Sequence, residues 1–490
     1  MIEKPIYLAI DLGAGSGRVM AGERSRENFI TLTEVHRFKS PPRQIAGHFR
    51  WDFEDLMHHI ETGLALAAER YGERISSISV DTWGVDFGLL DAAGKLLGDP
   101  VCYRDPRHGL GMEVVYSAIP EGDLFARTGI YPLALNTIFQ LAAEVGKDDS
   151  RLEMAKQLLF IPDLICYRLS GVARNERTVA STSGLLDARR REWATDIIEK
   201  IGLDPSVFCP LVDAGTVLGP ILPELANRTG LSPSVDIVAS AAHDTASAVA
   251  AVPFGSADEA FLSSGTWSLL GMECSEPRLQ EEVVAAGFSN EEGVNGTTRL
   301  LANVIGFWIF EECRKVWQSE GKNVDYGHLL ERAAAAKPFA GHIDATSSEW
   351  VVPGDMVNRL RKAIVAGGAD DTTDEGSLSR TIFEGLAVAY ARKLTALQSL
   401  LGKSVTAIRI VGGGSQNTLL NQMTADACGC AVIAGPVEAT SIGNILIQMV
   451  AEGEISSIAE GRKGIASDPA LQTYTPNPAA VDNWRKALER

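Results

Sequence analysis

The segment Ile6-Tyr-Leu-Ala-Ile-Asp-Leu-Gly-Ala-Gly-Ser-Gly-Arg18 joins a short apolar strand that ends in an acid to a glycine-rich turn. The next residues, Val19–Glu23, have the composition of a returning strand, so the whole segment predicts a β-hairpin. About half a chain later, Glu259–Ser264 predicts a strand, Gly265-Thr266 a tight turn and Trp267–Met272 a returning strand. We interpret the two hairpins as a structural duplication.

The segments around the hairpins predict further strands and helices. Residues 54–70 carry apolar side chains at helical spacing, and Ile75–Asp81 alternates like a strand that again ends in an acid. Ser377–Leu401 predicts a long amphipathic helix that ends at Gly402, and Val405–Val411 predicts the strand after it. This order of elements indicates an α/β fold with a mixed layer in each half of the chain.

The chain is long enough for more than one domain. At ~100–200 residues per domain, its 490 residues correspond to two to four domains. Residues 203–237 are rich in Pro and Gly and predict loops. We therefore expect a boundary just after them, with an N-terminal domain at 1–247 and a C-terminal domain at 248–490.

Composition narrows the class of partner. Asp and Glu total 63 against 45 Lys and Arg, a net charge of −18 that argues against a nucleic-acid-binding surface. Small phosphorylated ligands remain compatible, because glycine amides, helix N-termini and bound cations can hold phosphates on an acidic protein.

The N-terminus lacks a leader in which a basic region is followed by an apolar one, and no apolar run approaches the ~18 residues of a membrane span. Together with seven cysteines that form no CxxC pair, this predicts a cytoplasmic protein with reduced thiols.

Three segments place small residues with accessible backbone amides after a predicted strand. They are Asp11–Arg18, Ser263–Trp267 and Gly412–Ser415. Glycine lets a backbone approach an oxyanion closely because no Cβ intervenes. One such loop is as often an ordinary turn as a phosphate site, but three in one chain favour a polyphosphate ligand. We also expect Ser415 to cap the helix that follows the third loop.

Spacing excludes two common nucleotide motifs. Gly13-Ala-Gly-Ser-Gly17 is followed by Arg18 instead of the pattern GxGxxG, and it leads into a strand where the dinucleotide fold has a helix. Gly402-Lys-Ser404 resembles the end of a P-loop, but Leu397 stands where the earlier glycine is needed.

The acid–base candidates lie in two segments. His243-Asp-Thr245 stands among small, mostly apolar residues, where a carboxylate is usually paired or functional. We interpret Asp244 as a base that accepts a hydroxyl proton during phosphoryl transfer, with a structural Asp bonded to backbone amides as the alternative. His243 would orient Asp244, bind the acceptor or be a core histidine. Asp81-Thr-Trp-Gly-Val-Asp86 offers two acids and an aromatic ring to a polyhydroxylated ligand, although Trp83 alone is more typical of a core.

As a set, these motifs resemble the FGGY family of carbohydrate kinases, and within it most closely the rhamnulokinases. The matching segments run in family order: Asp11–Met20, Asp81–Phe87, His243–Val249, Ser263–Ser268, Gly412–Gln422 and Ala434–Ala439. The resemblance implies two ribonuclease-H-like domains of the actin/hexokinase type with a central cleft. It also implies transfer of the γ-phosphoryl group of ATP to O1 of L-rhamnulose, with Mg²⁺ as cofactor.

The resemblance also implies roles for individual positions. Asp244 would be the proton acceptor, and Asp11 would act on Mg²⁺ through bound water. The residues implied to contact the sugar are Asp81, Trp83, Gly84, His243, Asp244, Thr245 and Asn303. The residues implied to bind ATP are Ala14, Gly15, Ser16, Gly17, Arg18, Thr266, Glu311 and Gly413.

Two positions depart from the pattern of the family. Glu311 stands where a Gln is expected near the nucleotide, which puts that contact in doubt. Thr424 stands where some relatives carry a Cys near Cys428, so the disulfide of those relatives is not expected here.

The resemblance leaves other functions to distinguish. The expected partners are ATP and a ketose, without nucleic acid or membrane, in a monomer or small homo-oligomer. The alternatives are a kinase for another ketose such as L-fuculose or xylulose, a non-catalytic sensor of sugar and ATP on the same fold, and an actin- or chaperone-like ATPase. Hydrolysis of ATP without sugar would indicate the last of these.

Overall fold

The computed structural model describes residues 4–26, 29–146 and 151–489. The chain forms two compact units, each made of three segments. The first unit consists of Met1–Ala251, Glu273–Leu300 and Ala439–Asp468, and the second of Val252–Met272, Leu301–Glu438 and Pro469–Arg490. The division at 1–247 and 248–490, which is continuous in sequence, stays a prediction. Within the described residues, no helix is both long and apolar enough to cross a membrane.

The elements up to residue 251 alternate between short strands and helices. The strands are β1 (Ile6–Gly13), β2 (Ser16–Arg24), β3 (Ile30–Lys39), β4 (Arg43–Ile45), β5 (His48–Arg50), β6 (Ile75–Thr82), β7 (Phe87–Leu90), β8 (Gln157–Phe160), β9 (Asn175–Glu176), β10 (Leu186–Asp187), β11 (Glu192–Trp193), β12 (Leu211–Val212), β13 (Val217–Pro220) and β14 (Asp236–His243). The helices are α1 (Phe53–Tyr71), α2 (His108–Ala118), α3 (Glu121–Thr128), α4 (Thr137–Ala142), α5 (Arg151–Met154), α6 (Ile161–Ser170), α7 (Arg177–Ala180), α8 (Thr195–Lys200), α9 (Pro223–Thr229) and α10 (Asp244–Ala250).

The elements after residue 251 include longer helices. The strands are β15 (Glu259–Ser264), β16 (Ser268–Cys274), β17 (Ser289–Glu292), β18 (Thr298–Val304), β19 (Ala407–Val411), β20 (Ala431–Ala434) and β21 (Gln472–Tyr474). The helices are α11 (Glu281–Ala285), α12 (Trp308–Ser319), α13 (Tyr326–Ala335), α14 (Met356–Ala366), α15 (Glu375–Leu401), α16 (Thr418–Cys428), α17 (Ala439–Ala451), α18 (Ile458–Ile465) and α19 (Val481–Leu488).

Each unit contains a mixed sheet with the same central arrangement. In the first unit the strand order is β13-β14-β6-β1-β2-β3, where β1 pairs antiparallel with β2 and parallel with β6. In the second unit β15 pairs antiparallel with β16 and parallel with β19, which pairs parallel with β20. Both predicted hairpins are therefore confirmed, and each lies beside a parallel strand that belongs to the same unit. This correspondence agrees with the α/β class and with the structural duplication that the sequence predicts.

Alternation along β6 gives the sheet of the first unit one apolar and one polar face. Ile78 and Val80 belong to the core cluster that includes side chains of α1 and α6. Ser77 points the other way, and its Oγ donates to Gln448 of α17 at 2.7 Å. Because side chains alternate along a strand, Asp81 lies on the same polar face as Ser77. Thus α17 covers the face of the sheet on which the acid at the end of β6 lies.

Helix α17 crosses α10 so closely that glycine is required at the contact. A Cβ added to Gly443 would lie 1.8 Å from the carbonyl oxygen of Ser247. We expect Gly443→Ala to lower the free energy of unfolding by about 1–3 kcal/mol, the usual cost of overpacking. Urea denaturation measures this loss.

Gly122 provides the matched control for this substitution. It is an exposed residue of α3, and its added Cβ would meet nothing within 4 Å. Gly122→Ala should be neutral or stabilising by about 0.5–1 kcal/mol, because alanine favours the helix. Equal urea midpoints for the two variants would show that α10 and α17 are not packed this tightly.

Candidate active site

The predicted acid–base residues meet at the carboxyl ends of three parallel strands. Asp11 at the end of β1 is the register partner of Asp81 on β6, and Thr82 of β6 is the partner of His243 on β14. Asp244 follows His243 as the first residue of α10. Ligands of open α/β sheets bind outside the carboxyl ends of the strands. The register therefore brings three carboxylates that are far apart in sequence to one edge of one sheet.

Asp11 is held in place by two partners. Its Oδ2 lies 2.7 Å from Nη2 of Arg18, which stands opposite it in the hairpin. The same oxygen accepts a hydrogen bond of 2.8 Å from Oγ of Ser441 on α17. The side chain is 10% exposed, so this ionic pair lies at the margin of the interior.

Asp81 is fully buried and is held by α17. Its Oδ2 accepts a hydrogen bond of 2.6 Å from Nδ2 of Asn444, whereas Oδ1 has no hydrogen-bond partner among the described residues. Burial and the nearby charge of Asp11 raise the pKa of Asp81 well above its usual range. Gln448, one turn further along α17, donates to Oδ1 of Asn444 at 2.8 Å and so orients that amide.

Asp244 is the accessible carboxylate of the three. Its side chain is 34% exposed, and Oδ1 accepts hydrogen bonds from the backbone N (2.6 Å) and Oγ1 (3.2 Å) of Thr245. Burial raises the pKa of Asp244, and the charge of Asp11 adds to this, while His243 opposes it. Asp244 thus combines a bond to a backbone amide, as in the structural alternative, with the access that a base needs.

His243 lies between two carboxylates. Its Nε2 is 3.4 Å from Oδ1 of Asp244, and its Nδ1 is 3.1 Å from Oε2 of Glu291. The guanidinium of Arg299 is fully buried, and its Nη2 lies 3.0 Å from the same Glu291 oxygen. Glu291 and Arg299 carry no motif of their own, so the sequence alone gave no reason to single them out.

The loop after β6 is built around a second buried acid. Oδ2 of Asp86 accepts hydrogen bonds from Nε1 of Trp51 (2.7 Å) and Nε1 of Trp83 (3.0 Å), and Oδ1 accepts one from Nε2 of Gln140 (2.9 Å). Burial raises the pKa of Asp86 to about 6, and these donors limit the rise. The rings of Trp51 and Trp83 are 4.2 Å apart between centroids, and Trp83 is 7% exposed. Trp83 therefore supports this loop mainly as a buried side chain that packs against Trp51.

Close packing also restricts the middle of this loop. Gly84 approaches Thr182 so closely that an added Cβ would lie 2.9 Å from its Oγ1. Val85 has a φ of 68°, an uncommon conformation for a β-branched residue. Its backbone N donates to the same Thr182 hydroxyl, and its carbonyl accepts from Oγ1 of Thr137. These bonds hold the loop in a conformation that it would not adopt alone.

The first predicted phosphate loop is the turn between β1 and β2. Gly13 and Ser16 are register partners, so Ala14 and Gly15 form the turn itself. Gly15 and Ser16 are exposed, whereas Gly17 is buried, with its added Cβ only 2.4 Å from the ring of Phe38. The exposed part of the loop is thus the part whose backbone can reach a ligand.

The second predicted loop lies in the second unit and depends on Gly306. The turn at Gly265-Thr266 is exposed. Its carbonyls accept hydrogen bonds of 3.1 Å from the backbone N of Phe307 and of Trp308, at the start of α12. Gly306, at φ 58°, approaches the turn so closely that an added Cβ would lie 2.7 Å from the oxygen of Thr266. Its importance was not apparent from the sequence.

The third loop packs against the end of β15 in the same unit. An added Cβ on Gly412, at φ 84°, would lie 2.9 Å from the oxygen of Ser264, whereas Gly413 is exposed with nothing within 4 Å. The helix cap predicted at Ser415 is wrong. Asn417 caps α16 by accepting from the backbone N of Leu420, while Oγ of Ser415 donates to the carbonyl of Gly412. The short turn before α16 moves the cap two residues along the chain.

Two further positions implied by the resemblance lie elsewhere in the second unit. Asn303 is half-buried on β18. Glu311 forms an ion pair on α12, in which its Oε1 is 2.8 Å from Nη1 of Arg314. Cys428 carries a free thiol, and Thr424 is buried and donates to the carbonyl of Leu420.

The residues at the strand ends can contribute to a magnesium site but do not build one alone. Among residues 4–26, 29–146 and 151–489, no group of three His, Cys, Asp or Glu side chains is arranged to hold a metal. Mg²⁺ usually keeps several waters and binds through one or two carboxylates together with substrate phosphates. Asp11, an oriented carboxylate beside the exposed hairpin turn, suits that kind of site.

Two family models together match most of the chain. Residues 6–251 match the N-terminal domain of the FGGY family of carbohydrate kinases, and residues 260–452 match its C-terminal domain. The rhamnulokinase of Bacteroides thetaiotaomicron is 40% identical over 98% of this chain and 97% of its own length. The rhamnulokinase of Enterococcus faecalis is 37% identical over 97% of this chain and 95% of its own length.

Solved structures with low sequence identity share the fold. Gluconate kinase from Lactobacillus acidophilus has a TM-score of 0.81 at 16% identity, covering 99% of this chain and 96% of its own. Plasmodium falciparum glycerol kinase with ADP has a TM-score of 0.78 at 16% identity, covering 99% and 98%. These structures confirm the expected α/β architecture with two ribonuclease-H-like domains. The motifs in family order, the two matching domain models and the sequence identity over nearly the whole chain show that the chain belongs to the FGGY family of carbohydrate kinases.

Proposed function

We propose that this protein transfers the γ-phosphoryl group of ATP to O1 of L-rhamnulose, giving L-rhamnulose 1-phosphate and ADP. The observation that carries the proposal is the accessible Asp244, which lies at the same sheet edge as the ion-paired Asp11. The choice of sugar rests on relatives named rhamnulokinase, which are 37–40% identical over nearly the whole chain.

Asp244 is the proposed proton acceptor. Phosphoryl transfer depends mainly on positioning the reactants and neutralising charge, with the acceptor hydroxyl losing its proton as the new bond forms. Asp244 would hold the O1 hydroxyl by a hydrogen bond and take its proton. The bond from the backbone N of Thr245 fixes the carboxylate for this task.

The remaining sugar contacts are proposed from the resemblance, with roles that suit their burial. Gly84, His243, Thr245 and Asn303 would contact the sugar. We propose that the fully buried Asp81 and the largely buried Trp83 act through their neighbours, Asn444 and Asp86 respectively. Because so little of either side chain is exposed, these two residues would shape the site and contribute little direct contact with the sugar.

The nucleotide contacts are proposed at the exposed loops. In the first unit these are Ala14, Gly15, Ser16 and the cation Arg18, and Gly17 would support them by packing. In the second unit they are Thr266 and Gly413. Glu311 carries a negative charge that is already paired with Arg314 and would repel a phosphate, which makes it the weakest member of the set.

Asp11 is the proposed protein contact for Mg²⁺, through a bound water. The ion would neutralise phosphate charge. Arg18 and Ser441 both bind Oδ2 of Asp11, and this orients the carboxylate before any ligand arrives. We further propose that the protein works in the cytoplasm, where buried thiols such as Cys166 and Cys313 stay reduced, as a monomer or small homo-oligomer.

A substrate panel tests the proposal. With MgATP, ADP release should show the highest kcat/KM for L-rhamnulose among L-rhamnulose, L-fuculose, L- and D-xylulose, D-ribulose and glycerol. Preference for another ketose would keep the kinase mechanism and overturn the sugar. ADP release without sugar would favour an ATPase, and binding of sugar and ATP without any ADP would favour a sensor.

A further inference from the structure

Strand β14 departs from regular pairing just before Asp244. It pairs with β6 at Ala239 and next at His243. Between these two pairings β14 has three residues, 240–242, whereas β6 has only Asp81. A bulge of this kind interrupts the ladder of hydrogen bonds and redirects the chain that follows it. The direction in which Asp244 leaves the strand therefore depends on what holds the bulge.

Two buried side chains accept hydrogen bonds from the backbone at the end of the bulge. The backbone N of Ala242 donates to Oε2 of Glu176 at 3.0 Å. The backbone N of His243 donates to Oγ1 of Thr178 at 3.2 Å. The hydroxyl of Thr178 in turn donates to the same oxygen of Glu176 at 2.6 Å. Because buried backbone amides are almost always paired, these bonds fix where the end of β14 lies.

Glu176 is itself held in one place. Its side chain is fully buried, and Oε2 caps α7 by accepting from the backbone N of Thr178 (2.9 Å) and of Val179 (3.2 Å). Its own backbone N donates to Oδ1 of the buried Asp163 at 3.1 Å. One carboxylate oxygen thus ties the start of α7 to the end of β14.

These contacts need an acceptor oxygen on Glu176 and not a charge. Burial raises the pKa of Glu176 to about 7, and the hydrogen bonds from Thr178, Ala242 and Val179 limit the rise. Oε1 has no hydrogen-bond partner among the described residues, so a proton bound there would leave Oε2 able to accept. Glutamine, which offers one carbonyl oxygen, can therefore replace Glu176, whereas leucine cannot.

From this geometry we propose that Glu176 and Thr178 are positioning residues, which fix the bulged end of β14 and thereby the place of Asp244 during phosphoryl transfer. The inference rests on the proposed function of Asp244. Both residues act through the backbone of Ala242 and His243, and neither needs to touch the sugar. Asp244 directly follows His243 as the first residue of α10, so a displacement of that backbone carries its carboxylate along.

Thr178→Val tests the proposal by its effect in two backgrounds. Valine keeps the shape of the side chain but removes the hydroxyl, so the amide of His243 loses its acceptor. We expect kcat, followed by ADP release with L-rhamnulose, to fall by about 10–100-fold, as for a misplaced reacting group. In the Asp244→Asn background the same substitution should change kcat by no more than a few-fold, because residues that act through one another are not additive. The loss of stability, followed by urea denaturation, should be the same in both backgrounds.

Thr178→Ser and Thr229→Val are the matched controls. Serine restores the hydroxyl and should return kcat to within a few-fold of the wild type. Thr229 is also buried, and its Oγ1 donates to the carbonyl of Leu225 within α9 at 2.7 Å, a contact that does not involve β14. Thr229→Val should therefore lower stability but leave kcat unchanged. Thr178→Ala removes the same hydroxyl and supplies the comparison if the valine variant does not fold.

A pair of substitutions tests Glu176 separately. Glu176→Leu removes the acceptor and should lower kcat as Thr178→Val does, whereas Glu176→Gln should keep kcat within a few-fold of the wild type. Similar kcat values in these two variants would exclude Glu176 from the role.

The inference and the proposed function fail in different ways. Equal fold losses of kcat for Thr178→Val in the wild-type and Asp244→Asn backgrounds, or no recovery with serine, would overturn the inference. Absence of sugar-dependent ADP release in the wild type would instead overturn the proposed function.

Discussion

Asp244→Asn is expected to lower kcat by about 10²–10⁴-fold, the usual contribution of a positioned acid or base. Asparagine keeps the shape of the side chain and can still accept from the backbone N of Thr245, but it cannot take a proton. Asp244 is also the one carboxylate of the strand-end group with a substantial exposed fraction, 34% of its side chain. KM for the sugar and for ATP should therefore change by only a few-fold while turnover falls. Steady-state ADP release, with sugar binding followed by calorimetry, measures the two effects separately.

Asp123→Asn is the matched control. Asp123, like Asp244, is an acid in the first turn of a helix, but it is exposed on α3. Both substitutions remove a favourable charge from a helix N-terminus, which is worth about 0.3–1 kcal/mol of stability. Only Asp244→Asn should lower turnover. Near-normal kcat in Asp244→Asn, with the fold intact, would exclude Asp244 as the proton acceptor.

Gly306→Ala is expected to lower kcat/KM for ATP by about 10–100-fold, although Gly306 is not among the implied ATP contacts. Its added Cβ would lie 2.7 Å from the oxygen of Thr266 and 2.8 Å from the backbone N of Ser268. Both are backbone atoms, so the turn that is proposed to hold phosphate must shift. Displacements of about 1 Å in a positioning element commonly cost about 10² in rate. ADP release at varied ATP concentration, with saturating sugar, measures the change.

Gly321→Ala separates this effect from backbone strain. Gly321 has a φ of 75°, similar to the 58° of Gly306, but an added Cβ there meets nothing within 4 Å. Both alanines pay the penalty of the left-handed conformation. Only Gly306→Ala should weaken the use of ATP. Equal values of kcat/KM for ATP in the two variants would show that the Thr266 turn does not hold the nucleotide.

The fold was largely predictable because its signals are local. The glycine-rich turn at Ala14-Gly15 lies between strands with apolar periodicity, and both hairpins form as expected. The long helix over Ser377–Leu401 is confirmed as α15, which ends at Gly402 with a φ of 64°. The cap at Ser415 could not be predicted from residue type, since a turn of 3₁₀ helix, Gly413–Gln416, intervenes before α16. Caps depend on backbone geometry within a few residues, which composition describes poorly.

The supports of the candidate site could be predicted only in part. Ser441, Asn444 and Gln448 stand at helical spacing in an otherwise apolar segment, a pattern that marks a polar stripe on one face of a helix. The pattern does not say which acids the stripe contacts. Glu291 and Arg299 lack even that signal, because Glu291 stands beside a second acid, Glu292, in β17, and Arg299 is a lone charge in β18 outside any motif.

The sequence by itself determined the two strand–turn–strand elements and singled out Asp244 as a candidate base, because each depends on residues close together in the chain. Its motifs, taken as an ordered set along the chain, also indicated the kinase family. Only the tertiary structure decided which residues assemble around that acid. Parallel pairing of β1, β6 and β14 aligns Asp11 with Asp81 and Thr82 with His243, although these residues are separated by long stretches of chain. Burial then divides the carboxylates into a fully enclosed Asp81 and an accessible Asp244, since solvent access depends on what packs against each strand end and not on the residues beside it in sequence.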